Sequence, residues 1–143
     1  MNAQEVAKAF RDYAAGQPDL DGWDLRLGQC ELEIAADMVI FDAKEQPLAG
    51  SGHFSTVALS IIVDTHSQDH TETEHDARVE KIRSIFFGDV PTQERTVRAA
   101  VIAAINTAGS VRIYNYAAGE DDPTHEQNRF RTPVNLVIGA GTV

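Results

Sequence analysis

The chain has 143 residues, 43 % of them hydrophobic and 24 % charged, so it is long enough for one sizeable core and ordinary in polarity for a single globular domain. Twelve Lys and Arg residues against 22 Asp and Glu leave a formal charge of −10, which argues against gripping nucleic-acid phosphates, since that binding runs on neutralising them. Cys30 is the lone cysteine, which excludes an intramolecular disulfide and a cysteine-rich zinc cluster, and no apolar run approaches the ~20 residues that span a bilayer.

The first segment, MNAQEVAKAFRDY, lacks the basic and apolar regions of a secretory signal, so synthesis in the cytoplasm is expected. Its periodicity predicts a helix: Val6, Phe10 and Tyr13 fall on one stripe beside Ala3, Ala7 and Ala14, and Gly16 followed by QPDLDG ends it. WDLRLG and CELEIAADMVIFDAKE then read as strands, with Trp23, Leu25 and Leu27 alternating, as do Cys30, Leu32 and Ile34, and with helix as the alternative for part of the second segment. QPLAGSG has the Pro and Gly of a loop. FSTVALSIIVDT is the clearest strand, with Val57, Leu59, Ile61 and Val63 on one face and Thr56, Ala58 and Ser60 on the other.

A second helix is predicted from about Thr73 to Phe87, with Val79, Ile82, Ile85 and Phe86 as its apolar stripe and Gly88 as a left-handed stop. A third follows Pro91, with Thr92 as its cap, turns Val97, Val101, Ile102 and Ile105 inward, and ends at Gly109. VRIYNYAAG and NRFRTPVNLVIGAG close the chain as a strand pair, joined by EDDPTHEQ as a turn or extended polar loop. No repeat or break in composition divides the chain, so residues 1–143 read as one α+β domain. It should consist of a mainly antiparallel sheet with its helices packed on one face.

Residues 64–76, DTHSQDHTETEHD, carry three histidines and five acidic residues in thirteen positions. A zincin sets two histidines four apart on a helix with a glutamate between them. His66 and His70 are four apart but precede the helix start, and His70 and His75 are five apart, which on a helix points them differently. His53 and His125 would join them only through folding. The competing reading is structural: Thr71 to Glu74, TETE, is a capping-box pattern, and Glu72, Glu74 and Asp76 sit where the helix dipole favours negative charge. That reading gives each acidic group a local role without a metal.

Other chemical signals are weaker. GSG at residues 50–52 is not followed by the Lys-Ser/Thr of a phosphate loop, and no G-x-S-x-G elbow occurs. Cys30 in an alternating strand reads as a small core residue, and Glu120, Asp121 and Asp122 before Pro123 as a solvated turn. Alternation sets Tyr114 and Tyr116 on one strand face with Arg112, a pairing of residue types that protein interfaces favour.

In this order the elements resemble the tail terminator and tail-completion (head–tail joining) proteins of tailed bacteriophages. The resemblance lies in architecture over most of the chain: the N-terminal helix, HFSTVALSIIVDTHS, HTETEHDARVEKIRSIFF, the Ala-rich third helix, and the strands VRIYNY and NRFRTPVNLVIG. It implies a structural virion protein of the tail or neck, without catalytic residues, metal or cofactor. It also implies a hexameric ring that caps the tail tube, meets neck or connector proteins, and lets DNA pass through its pore without specific binding. FDAKEQPLAGSGH falls where such families often carry a mobile arm.

A ring requires one surface of each copy to meet a different surface of the next. Tyr114, Tyr116, Arg129 and Arg131 are the candidate subunit-interface residues, with the small residues of the long strand beside them. Two other readings compete. One is a small metal-dependent enzyme using His66, His70 and His75, and the other a module that binds a basic partner through its acidic surface.

Overall fold

The computed structural model describes residues 3–28, 37–46, 54–66, 70–119, 124–126 and 129–141. Helix α1 (Ala3–Ala15) is followed by strands β1 (Leu25–Leu27), β2 (Met38–Gln46) and β3 (Phe54–His66), then by helices α2 (Glu72–Phe87) and α3 (Glu94–Ala108). Strands β4 (Arg112–Ala118), β5 (Thr124–Glu126) and β6 (Arg129–Gly141) complete the chain. The sheet order is β1-β2-β3-β6-β4, and β5 pairs with the stretch of β6 that β4 leaves free. The pairings are antiparallel except β1 with β2, so the domain is the expected α+β fold with a mainly antiparallel sheet. Among the described residues, no helix is long and apolar enough to cross a membrane.

Register decides which side chains meet the helices. Strand β3 pairs with β6 along its whole length, from Phe54 opposite Gly141 to His66 opposite Arg129. With a side-chain period of two, Val57, Leu59, Ile61 and Val63 therefore share a buried face with Val134, Leu136, Ile138 and Ala140. On β2 the same face carries Val39, Phe41 and Ala43. Onto it pack Val6, Phe10 and Ala14 of α1, Val79, Ile82 and Phe86 of α2, and Val101 and Ile105 of α3. Burying each large apolar side chain stabilises the fold by roughly 1.5–3 kcal/mol, so this shared face outweighs any local propensity.

The structure corrects the expected pairing of the two tyrosines. Ile113 points inward, and strict alternation would send Asn115 after it. A bulge between Ile113 and Asn115 shifts the register, so Asn115 lies opposite Gly139 and Tyr116 opposite Ile138. Tyr116 is thus 1 % exposed while Tyr114 is 52 % exposed, and the two do not form one surface. The shift buries the larger, more apolar side chain. Tyr116 meets Phe10 edge-on at 5.6 Å between ring centroids, and its hydroxyl donates to the Phe86 carbonyl at 2.5 Å.

Element ends differ in smaller ways. Helix α2 starts at Glu72, one residue before the expected Thr73. Residues Pro91–Gln93 form a 3-10 turn, so α3 begins at Glu94 and Thr92 does not cap it. Gly88 has φ 82° and ψ 173°, so it is not the expected left-handed stop; it permits a tight turn in which an added Cβ would lie 3.0 Å from the Gln93 Cβ. Gly109 does end α3 in the left-handed region, at φ 82° and ψ 1°. Within EDDPTHEQ, Thr124–Glu126 is a strand where a turn or loop was expected. The expected alternation of Cys30, Leu32 and Ile34 falls outside the described residues, as does the 47–53 loop.

Strand β4 is a sheet edge, and α3 covers part of it with side chains. The Asn106 amide donates to the Ile113 carbonyl at 3.0 Å and accepts from the Ile113 amide at 2.7 Å, as a neighbouring strand would. Arg98 Nη1 donates to the Tyr116 carbonyl at 2.9 Å. Replacing Asn106 by Ala leaves both Ile113 groups without these partners. The expected loss is about 1–3 kcal/mol of unfolding free energy in urea titration, with increased aggregation from the exposed edge. An unchanged midpoint and slope would show that the edge needs no such cover.

Candidate functional site at the strand-to-helix joint and the uncovered sheet face

The histidine-rich segment is a joint between β3 and α2. Thr71 caps the helix: its hydroxyl accepts from the Glu74 amide at 3.2 Å, and Glu74 Oε1 reaches back to the Thr71 amide at 3.4 Å, closing the capping box read from the sequence. Asp37, just before β2, ties the joint to the sheet by accepting from the His66 amide at 2.9 Å. Its other oxygen lies 2.7 Å from His70 Nε2, and His70 Nδ1 lies 2.9 Å from Glu74. His70 thus bridges two carboxylates on different elements.

His75, on the first turns of α2, faces the sheet and is 3 % exposed. Its Nδ1 lies 2.8 Å from the Thr65 hydroxyl and its Nε2 2.8 Å from the Thr132 hydroxyl, with Phe130 at 5.6 Å between ring centroids. Thr65 and Thr132 fall on the helix-facing side of β3 and β6 because of the register that buries Val63 and Val134. A neutral imidazole donates one hydrogen bond and accepts one, and a hydroxyl serves either role, so both ring nitrogens are satisfied without charge. Further along α2, the Arg78 guanidinium lies 4.1 Å from the centroid of the Trp23 ring, joining the helix to the segment before β1.

The two histidines respond to protons in opposite senses. The hydrogen bond to Glu74 raises the His70 pKa against the cost of desolvation, with Asp37 adding to the rise. His70 lowers the Glu74 pKa in return. Burial is the main cause that lowers the His75 pKa, against the pull of Asp76, Asp64 and Glu72.

The structure separates the residues of the metal reading. His70 and His75 already direct both ring nitrogens at protein groups, and the His66 side chain is buried. Among the described residues, no group of three or more His, Cys, Asp or Glu side chains is arranged to hold a metal ion. His53 and Cys30 lie outside the described residues, as does the side chain of His125.

Of the predicted interface residues, Tyr114 is exposed at the bulge and Tyr116 is core. Arg131 lies opposite Asp64 on the face away from the helices, its Nε 3.4 Å from Asp64 Oδ2, and Asp64 is fully buried. The partly exposed Arg131 guanidinium thus stands beside a buried carboxylate of its own chain. Arg129 pairs through its backbone with His66 and Glu126, and its side chain lies outside the described residues.

The face away from the helices is uneven. Near the joint it is buried at Met38, Ile40, Asp64 and His66. Toward β4 it is open: Val137 is 45 % exposed opposite an exposed Ala117, with half-buried Ala58 and Ser60 alongside. Ser60 donates to Asn135 Oδ1 at 2.7 Å within this region.

Sequence reasoning missed Asp37, Thr65 and Thr132. Asp37 and Thr132 have no motif around them, Thr65 carries no signal of its own inside the histidine-rich segment, and folding brings all three to the histidines they serve.

No family model matches the chain, and no curated protein matches it in sequence. The fold recurs among solved structures. One, of a protein whose name states no activity, aligns over 97 % of this chain and 92 % of its own, with a TM-score of 0.50 and 10 % identity. That likeness is one of fold alone.

The opposed histidines predict opposed pH effects on stability. His70 has a raised folded pKa, so its contribution is full below its unfolded value of about 6.5 and is lost as pH rises through the folded value. His70→Gln should therefore destabilise most in acid and little in alkali. His75 has a lowered folded pKa, so the unfolded chain takes up its proton first and stability falls as pH drops below about 6.5. His75→Gln should lose about 1–3 kcal/mol at neutral pH and show a shallower acid decline than the wild type. Urea titrations across the acid-to-neutral range check both, and parallel pH profiles for all three proteins would contradict the assignment.

Proposed function

We propose that the protein is a structural component of a phage tail or tail-like particle. It joins copies of itself into a ring, hexameric by the family resemblance, that caps the tail tube and forms the head–tail joining surface. The observation that carries this reading is the one-sided placement of the helices, which leaves small residues and exposed Val137 and Tyr114 toward the β4 end of the sheet. Exposed apolar side chains gathered beside small residues suit contact with another protein surface. The order of elements, which resembles that of tail terminator proteins, supports the same reading.

Charge is compatible with it. An excess of ten acidic groups repels a polyanion, so DNA would pass a pore of such subunits without adhering. In the joint, the histidines and carboxylates hold β2, β3, β6 and α2 together, which supports a structural over a catalytic role for that segment. The protein would work in the virion tail or neck, against tail-tube and connector proteins, after synthesis in the host cytoplasm.

Native mass spectrometry and negative-stain electron microscopy of the purified protein, alone and with tail-tube protein, test the proposal. The expected outcome is a closed ring of discrete mass. A strict monomer under both conditions at high concentration would overturn it.

A further inference from the structure

The geometry points to a head-to-tail contact in which the β4 edge of one copy, carrying Tyr114 beside Arg112, seats in a hollow at the β1 edge of the next copy. This rests on the ring reading and names its two surfaces. Strands β1 and β4 end the sheet path β1-β2-β3-β6-β4. At ~4.8 Å per strand spacing they stand about 19 Å apart, so they are separate surfaces of one copy, available to two different neighbours. Such a pair is what a heterologous contact requires.

The projecting surface is the outer face of β4. Alternation from inward-pointing Ile113 leaves Tyr114 52 % exposed on the edge strand, close to exposed Arg112 and to Val137, which is 45 % exposed. The bulge that follows turns Tyr116 into the core, so Tyr114 stands alone as the exposed aromatic of this strand. Tyrosine is among the side chains that dominate binding energy when seated in a pocket.

The receiving surface is a shallow cavity of about 270 Å3 where α1 meets β1, lined by Leu20, Trp23 and Leu25, with Arg11, Asp12 and Asp21 among its polar groups. It falls below the roughly 300–1,000 Å3 of small-molecule sites, a size that suits a single side chain. Charge selects the orientation. Two chains of charge −10 repel unless opposite groups meet, and exposed Asp21 offers Arg112 such a partner. A contact of standard size covers ~800 Å2 on each copy, so two contacts would take roughly a fifth of the 7989 Å2 surface.

The test places cysteines beside both surfaces of the full chain, Asn115→Cys next to Tyr114 and Ala15→Cys in the lining of the hollow, after Cys30→Ser removes the native thiol, so that Arg112, Tyr114 and Asp21 stay in place. Mild oxidation should give a covalent ladder that extends beyond the dimer to the ring, because each copy then offers one thiol to each neighbour. Arg112→Asp alone should abolish the oligomer, and adding Asp21→Arg should restore it, with circular-dichroism melts confirming that each variant folds. Oligomers that cross-link only as dimers, or not at all, or that ignore the charge reversal, would overturn this contact and leave the ring reading standing. A wild-type chain that never leaves the monomer would overturn both.

Discussion

The pairing of β3 with β6 constrains most of the remaining structure, because it runs unbroken from Phe54 opposite Gly141 to His66 opposite Arg129. A shift of one residue would turn Val57, Leu59, Ile61 and Val63 away from the helices and bring Ala58, Ser60 and Ile62 toward them. The same shift would turn Thr65 away from His75, so the apolar core and the polar joint depend on one register. The apolar strip sets that register energetically, since each large side chain contributes roughly 1.5–3 kcal/mol on burial against about 0.5–1.5 kcal/mol for one net hydrogen bond. The joint adds direction: it fixes where α2 begins and which of its faces meets the sheet.

At the joint, polar groups are distributed by their surroundings. His70 stands at the partly open rim between Asp37 and Glu74, where its charged form is stabilised. His75 lies five residues on, under the helix, where hydroxyl partners serve it in its neutral form and burial disfavours the charge. The helix dipole acts in the same sense at its start, favouring the carboxylates of Glu72 and Glu74 near the exposed first turn. A segment that carries three histidines and five acidic residues thereby works as a fastening.

How much of this could be read from the sequence depended on the range of the determinant. The β3 alternation, the capping box at Thr71 and Glu74, the apolar stripe of α2 and the glycine stop at Gly109 are local patterns, and each has its counterpart in the structure. The Tyr114–Tyr116 pairing failed because a bulge costs little locally and is repaid by distant contacts with Phe10 and the Phe86 carbonyl. The role of Asp37 was hidden for the same reason, as its partners His66 and His70 come from the far end of β3 and the segment beyond it. The short β5 was missed because three residues alternate too briefly to signal a strand, and β6 supplies the template that makes them one. The hollow at Leu20, Trp23 and Leu25 forms where α1 packs beside β1, which no residue pattern announces.

Treatment of the β4 edge bears on how the molecule would meet the neighbours proposed for it. A bare edge strand invites any other strand to add to it, with little selectivity and a risk of open-ended growth. Here Asn106 occupies both backbone groups of Ile113, and Arg98 occupies the carbonyl of Tyr116. Strand addition at those positions would have to displace bonds already made, so in the proposed ring recognition would pass to side chains that project past the edge. Side-chain contacts select both partner and orientation, as a closed ring requires and indiscriminate strand pairing does not. Alternation from Ile113 leaves Tyr114 exposed at that edge, and the bulge after it turns Tyr116 rather than Asn115 into the core, so β4 supplies one aromatic to each face.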